Sequence, residues 1–472
     1  MRKRRGNSAE LIGALFVLLV GWVSLVGVYP AWSEDAETTK QEAYGASSAM
    51  RDDLPALSGS STLRDYLVYA ALNNAGLKAA YYQWQAVREE APQVTALPDP
   101  KFSYAYFIRE VETRVGAQNQ SIGLSQTFPW FGKLKLRGKG ALHRAAAAEQ
   151  RYEAAKLDLF FRVKEAFAEY YYLGRTLAIT EENIQLLTYL EGVARTQYKG
   201  GRDVYGAVIQ IQVELGKLED RLRSLQDLRE PTVARLNAAL NRPLNHSLPW
   251  PKALPEGQLA GSDRALLEAL RENHPRLKEL DHAIGEQQIA RQLARKNFYP
   301  DLTFALDFID TNEATMSGIK ESGKDPIVAS ISMNLPIWRG KYRAAERAAE
   351  ARTQAAEQQK AEQANRLEVA LIRALYDYRN AERKIDLYHD TLIPKAEQSL
   401  AVARQALSAG KADSLQLVDA QRSLLEFQLS YERALADRMQ SLAKIESLAG
   451  GASVEDLLDP PRQVVEEEKE LQ

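Results

Sequence analysis

The chain contains no cysteine. Structural disulfides, thiolate metal sites, cysteine nucleophiles and an N-terminal lipoprotein cysteine are excluded with it. Histidine is scarce. There are five (His143, His246, His274, His282 and His389), and no two have the spacing of a ligand pair on one helical turn. That composition argues against a metalloenzyme. Neither sign of charge is in excess: 61 Lys and Arg against 63 Asp and Glu in 472 residues give a formal net charge of −2. A nucleic-acid binder built on a basic field is thereby excluded. Beyond residue 28 no run of 18 uncharged apolar residues occurs, so no membrane helix is expected in the body of the chain. The 45% hydrophobic and 26% charged residues are those of a chain that mostly folds.

The N-terminus carries an export signal. Residues 2–5 are Arg-Lys-Arg-Arg, Leu11 to Val28 is apolar or small throughout, and Ala31-Trp32-Ser33 supplies the small residues of a cleavage site before Glu34. The apolar run is also long enough to span a bilayer, which leaves a retained anchor as the alternative. Cleavage removes a net charge of +3 and leaves −5. Residues 1–33 are accordingly read as signal peptide and 34–60 as an N-terminal extension. The exported body is either soluble or a membrane β-barrel.

Most of that body reads as long helix. Residues 61–96, 133–199, 203–241, 263–298, 340–407 and 413–449 are dominated by Ala, Glu, Gln, Leu, Arg and Lys, the strong helix formers. Leu157, Phe160, Phe161, Val163, Phe167 and Tyr171 recur at the amphipathic period. A soluble coiled-coil protein would read the same way.

Two segments break the helical pattern, and both alternate. After Pro98-Asp99-Pro100, Phe102, Tyr104, Tyr106 and Ile108 share a face. The chain turns near 110–117, returns with Ile122, Leu124 and Phe128 against Ser121, Gly123, Ser125 and Thr127, and stops at Pro129. After Pro300-Asp301, Leu302, Phe304, Leu306 and Phe308 alternate with Thr303, Ala305 and Asp307. A polar loop from Asp310 to Pro326 follows, then Ile327 to Leu335, then Pro336. Each segment, 98–130 and 300–337, is a β-hairpin with one aromatic or aliphatic face and one small or polar face. Strands of about nine residues are long enough to cross a bilayer when tilted. A half-buried soluble hairpin would give the same alternation.

The two halves are a tandem repeat, residues 61–262 and 263–450, followed by a tail, 451–472. Leu77-Lys78 matches Leu277-Lys278, Pro98-Asp99 matches Pro300-Asp301, and Phe102 matches Phe304. Pro129 and Gly132-Lys133 match Pro336 and Gly340-Lys341. Gly201, Gln212 and Leu215 match Gly410, Gln421 and Leu424. Helices 133–199 and 340–407 would each be about 100 Å long at 1.5 Å per residue, about the summed length of 203–241 and 263–298. The Pro-rich stretch from Asn241 to Gly261 should therefore lie midway along such a long helix. Four strands cannot close a barrel in lipid; a trimer supplies twelve.

With these features the sequence resembles the TolC-type outer-membrane efflux proteins over roughly residues 60–450. The residues that carry the resemblance are the duplicated hairpins, their Phe128-Pro129-Trp130-Phe131-Gly132-Lys133 and Leu335-Pro336-Ile337-Trp338-Arg339-Gly340-Lys341 exits, and the glycine turns at 198–204 and 407–414. The Leu97-Pro98-Asp99-Pro100 opening followed by the Phe-Pro-x-Phe-Gly-Lys exit is more similar to the heavy-metal efflux branch than to the drug branch. The resemblance implies a mainly α chain with β-hairpins. Three copies of it would form a 12-stranded membrane β-barrel continuous with a long α-helical barrel. It implies a passive duct with no catalytic residue and no cofactor. Its partners would be two further copies, outer-membrane lipid, a periplasmic adaptor (membrane fusion) protein and an inner-membrane pump of RND or ABC type. The alternative is a soluble periplasmic coiled-coil scaffold or adaptor.

Under this resemblance the glycine turns are the periplasmic tips. Gly200, Gly201 and Gly410 suit a helix-to-helix turn. Asp203 and Asp413, with Asp419 further along, are candidates for an acidic constriction, and Arg202 and Lys411 for their partners; the plainer reading of each is a solvated surface charge. Threefold symmetry would place carboxylates in a ring that selects by charge. Phe102, Tyr104, Tyr106, Phe304 and Phe308 are expected to face lipid. Trp130, Phe131 and Trp338 fit an interfacial girdle, or core packing.

Overall fold

The computed structural model describes residues 57–200, 205–255, 257–259, 261–408 and 414–450. The expected signal peptide, most of the N-terminal extension, the C-terminal tail and tip residues Gly201, Arg202, Asp203, Gly410, Lys411 and Asp413 lie outside them.

The first repeat opens with α1 (Leu63–Asn73), α2 (Ala75–Arg88) and α3 (Glu90–Thr95). The hairpin β1 (Lys101–Thr113) and β2 (Gly116–Phe128) follows. Then come α4 (Lys133–Lys199), α5 (Tyr205–Asp227) and α6 (Arg229–Leu240). The second repeat has α7 (Asp263–Asn273), α8 (Pro275–Lys296), β3 (Leu302–Thr311), β4 (Ile327–Met333) and α9 (Arg339–Asp386). A π-helical segment (Leu387–Leu392), α10 (Ile393–Ser408) and α11 (Ser414–Ala449) complete it.

Several expected helices are interrupted. The run 61–96 breaks at Asn74 and at Glu89, 203–241 at Leu228, and 263–298 at His274. Asn74 and His274 are equivalent in the repeat, and both are buried N-caps. Asn74 accepts from the Leu77 N–H at 2.9 Å, and His274 Nδ1 accepts from the Arg276 N–H at 3.2 Å. The expected helix 340–407 is continuous in path but bulges into the π turn just before Pro394. Proline has no N–H to give the carbonyl four residues back, and its ring crowds that carbonyl, so the turn widens upstream.

By contrast α4 spans Lys133–Lys199, as the sequence suggests. It starts after Gly132, at a left-handed φ of 85°. It buries Leu159, Val163, Ala166, Tyr170 and Leu173 on one side. The linker between the repeats crosses it near its midpoint. Trp250 stacks on Tyr170 with ring centroids 4.5 Å apart, and Tyr170 Oη donates to the Leu248 carbonyl at 2.7 Å. Gly174 lies beneath: a Cβ there would come within 2.8 Å of the Trp250 ring. Two larger cores flank this belt. One gathers Ile179, Leu187, Leu218, Leu400, Leu424 and Leu429 toward the tips. The other gathers Leu270, Leu277, Leu371, Tyr378, Ile445 and Leu448.

His274 leads to a pH prediction. Burial, followed by the nearby Arg276 and Lys444 charges, depresses its pKa to about 4. The folded state therefore binds fewer protons than the unfolded one as pH falls below about 6.5, and up to about 3 kcal/mol is lost between there and pH 4. His274→Asn, which copies Asn74, keeps the cap. We expect urea midpoints close to the parent's at pH 7 and clearly above it at pH 4. Equal acid sensitivity in parent and variant would assign the loss to other groups.

Candidate functional site

The four strands form one antiparallel sheet in the order β1-β2-β3-β4. The β2–β3 pairing joins the two repeats, with Ser125 opposite Ala305 and Leu124 opposite Leu306. Strands β1 and β2 have 13 residues each, longer than the nine expected, while β4 has seven. β1 bulges between Tyr106 and Val111. Beyond the bulge the hairpin turns at residues 114 and 115, within the polar stretch expected near 110–117. Gly116, at φ 139°, makes the turn possible. A Cβ there would lie 1.6 Å from the Asn312 carbonyl oxygen, so the turn nests on the β3–β4 loop.

Residues opposite one another share a face of the sheet. The register assigns each side chain to a face, with Gln120, Gln126 and Asp310 among the mainly apolar set and Ile309 and Val328 among the mainly polar one. One face carries Phe102, Tyr104, Tyr106, Ile122, Leu124 and Phe128 from the first hairpin. It continues with Leu302, Phe304, Leu306, Phe308, Ala329 and Ile331. Phe102, Tyr104, Tyr106 and Phe304 are exposed there, and Phe308 is half-buried. The other face carries Ser103, Ser121, Gly123, Ser125, Thr127, Thr303, Asp307, Ser330 and Ser332. Asp307 reaches across the bare backbone of Gly123, where a Cβ would sit 2.1 Å from its Oδ1. Thr127 and Thr303 hydroxyls bond at 2.8 Å.

Just below the strands, Lys133 at the start of α4 is 3% exposed. Its Nζ donates to Asp301 Oδ1 at 2.7 Å and to the Tyr299 carbonyl at 3.0 Å. The same Asp301 oxygen accepts from the Trp130 N–H at 2.8 Å. Trp130 is half-buried and stacks on Tyr299, with centroids 5.3 Å apart and planes 10° from parallel. Phe131 and Trp338 are 80% and 75% exposed. The two candidate girdle tryptophans thus have different surroundings: one packs across the repeat junction and one stands open.

Of the tip candidates, Gly200 caps the C-terminus of α4 at φ −83°, so it does not need the left-handed freedom expected of a turn glycine. Asp419 is exposed and lies 3.5 Å from Arg422, a residue the sequence did not single out. Arg422 also donates to Glu214 Oε2 at 3.0 Å, joining the helices that follow the two tips. Its guanidinium is the main reason the Glu214 carboxyl sits below the usual carboxylate range. Tyr198 and Tyr205 face one another across the first tip with ring centroids 5.1 Å apart. Their spacing brackets the glycines, a signal the sequence offered. A buried Gln421 donates to Asn183 deeper along α11, polar packing that no local pattern announces.

The histidines His143 and His282 do meet, across α4 and α8, with ring centroids 6.0 Å apart. Among the described residues no group of three or more His, Asp or Glu side chains is arranged to hold a metal ion. Among them, too, no helix is long and apolar enough to cross a membrane.

Comparison with known proteins matches this arrangement. The chain is 24% identical over 408 residues to the cobalt-zinc-cadmium resistance protein CzcC of Cupriavidus metallidurans, covering 83% of this chain and 90% of that one. The crystal structure of CusC superposes with a TM-score of 0.71 at 18% identity, covering 83% of this chain and 92% of CusC. The outer membrane protein VceC of Vibrio cholerae gives 0.68 at 20% identity, covering 82% and 96%. The family described as outer membrane efflux protein matches residues 67–242 and 266–451, one span in each repeat. The chain belongs to this outer membrane efflux protein family and is an efflux channel of the outer membrane.

Proposed function

We propose that this channel is the passive outer-membrane duct of a tripartite heavy-metal efflux system. Three copies close a twelve-stranded barrel and continue it as a helical tunnel. A periplasmic adaptor meets the helix tips, and an inner-membrane pump supplies the energy. The observation that supports this reading most is the sheet: four strands with one open apolar face, one serine- and threonine-rich face, and two unpaired edges. In lipid such edges must be closed by further strands. A soluble scaffold would have no use for an aromatic face of which Phe102 and Tyr106 are two-thirds exposed.

The polar face would line the pore. Its acidic group is Asp307, and a trimer would carry three of them, a ring suited to cations. Gly200, Gly201 and Gly410 would turn the chain at the tips. Arg202, Asp203, Lys411, Asp413 and Asp419 would form the gate, with Arg422 holding Asp419. Phe102, Tyr104, Tyr106, Phe304 and Phe308 would face lipid, with Trp130 and Trp338 near the interface. Residues 1–33 would be removed on export, leaving a short extension, the two repeats and a tail. The name of CzcC supports divalent metal cations as cargo.

Deleting the gene from its host tests the cargo. The expected result is lost tolerance to Co2+, Zn2+ and Cd2+, restored by the intact gene. Unchanged metal tolerance with new sensitivity to organic drugs would overturn the metal assignment and leave the duct.

A further inference from the structure

The junction between the two repeats is a template for a second junction. Within the chain, β2 of the first repeat pairs with β3 of the second, and Lys133 at the first exit grips Asp301 at the second opening. The second exit and the first opening carry the same residues, Lys341 and Asp99. Both are exposed, and neither has an ion-pair partner among the described residues. They also flank the two free edges of the sheet, β4 and β1.

We infer that Asp99 of one copy pairs with Lys341 of the next, beneath a β4–β1 seam of defined register. The inference rests on the trimeric reading above and adds the residues that make each seam.

The register follows from the repeat offsets. Openings Pro98 and Pro300 are 202 residues apart, and exits Pro129 and Pro336 are 207 apart. Carrying the observed Ser125–Ala305 and Gln126–Phe304 pairs across gives Ser332 opposite Ser103 and Met333 opposite Phe102. Those assignments need not have agreed with the faces, yet they do. Ser103 and Ser332 both belong to the polar face, because they oppose Gly123 and Thr303. Phe102 and Met333 both belong to the apolar face, opposing Leu124 and Leu302. A slip of one residue would set the two faces against each other, with Phe102 opposite Ser332 and Tyr104 opposite Ser330. Below the sheet, α9 displays Val369, Ile372 and Tyr376, all more than half exposed at helical spacing, on the long helix that leads away from this edge.

Burial at the seam would turn a surface pair into one like Lys133–Asp301, where an unpaired charge is costly. The first test is charge exchange in the full-length protein. Asp99→Lys and Lys341→Asp should each lose the trimer on heating in detergent, at a temperature where the parent keeps it. The double exchange should regain it. Rescue separates a paired role from misfolding.

The second test exploits the absence of native cysteine. Ser103→Cys with Ser332→Cys should give a covalent trimer under oxidation, reversed by reductant. Ser103→Cys with Ile331→Cys, on opposite faces, should not. A trimer by mass that shows neither rescue nor the Ser103–Ser332 cross-link would overturn the seam while leaving the duct. A particle with no trimer at all would overturn the duct reading itself.

Discussion

Leu306→Arg is expected to remove the protein from the outer membrane, while Ala305→Arg, one residue away, leaves it there. Leu306 lies on the apolar face, between Leu124 and Ala329. Ala305 lies on the polar face, between Ser125 and Ser330. An arginine at the lipid face near the bilayer midplane costs about 2–4 kcal/mol per copy, and a trimer bears three. That total rivals the whole stability of an ordinary domain. On the other face the guanidinium meets water, so assembly survives. The cost appears instead as reduced cation selectivity, because three positive charges then stand beside the Asp307 positions. Fractionation by sucrose gradient checks the first outcome and reversal potentials check the second. Equal membrane recovery of both variants would mean that the faces are assigned wrongly.

Asp301→Ala is expected to be the most damaging single change away from the helix cores. It strands the Lys133 ammonium, which is almost wholly buried, and it removes the acceptor of the Trp130 N–H. Breaking a buried pair from one side typically costs about 3–5 kcal/mol. Lys133→Met should cost less, because the remaining carboxylate is partly exposed and keeps the Trp130 N–H. The double variant should be more stable than Asp301→Ala alone, since the stranded charge is gone. Urea midpoints of the detergent-solubilised protein decide it. Strict additivity of the two losses would show that the residues act independently and that the pair is not what joins the repeats.

Much of this was legible in the sequence for a simple reason. A period of two and a period near 3.6 are local properties, and proline and glycine punctuate them. Pro129, Gly132 and Gly200 bound α4 so clearly that its limits could be read directly. The faces of the hairpins were equally readable, because alternation fixes them whatever the strands pair with.

What stayed hidden was non-local, or depended on a single capping contact. The β2–β3 pairing unites residues 174 to 193 positions apart, and no local pattern encodes it. The break at Asn74 arises where a side chain caps the next helix, and Leu- and Ala-rich surroundings masked it, whereas at His274 the following Pro275 was a visible mark of the break. Pro394 was a visible mark whose consequence, a π turn in place of a break, required the packed helix around it. At the tips, the sequence pointed to charges next to the glycines. The structure adds Arg422 and Glu214, a full turn and more into the following helices, where ordinary helical charges hide a contact between repeats.

Three copies of this chain are proposed to enclose a conduit through the outer membrane. Single-channel conductance in a planar lipid bilayer, on the same detergent-solubilised particle whose mass is determined, tests it most directly. The expected result is a particle of three chains with a small, cation-selective conductance, which increases when Arg202 and Lys411 are replaced by neutral residues. A water-soluble monomer or dimer that never conducts would contradict it, and the hairpins would then have to pack inside a periplasmic scaffold.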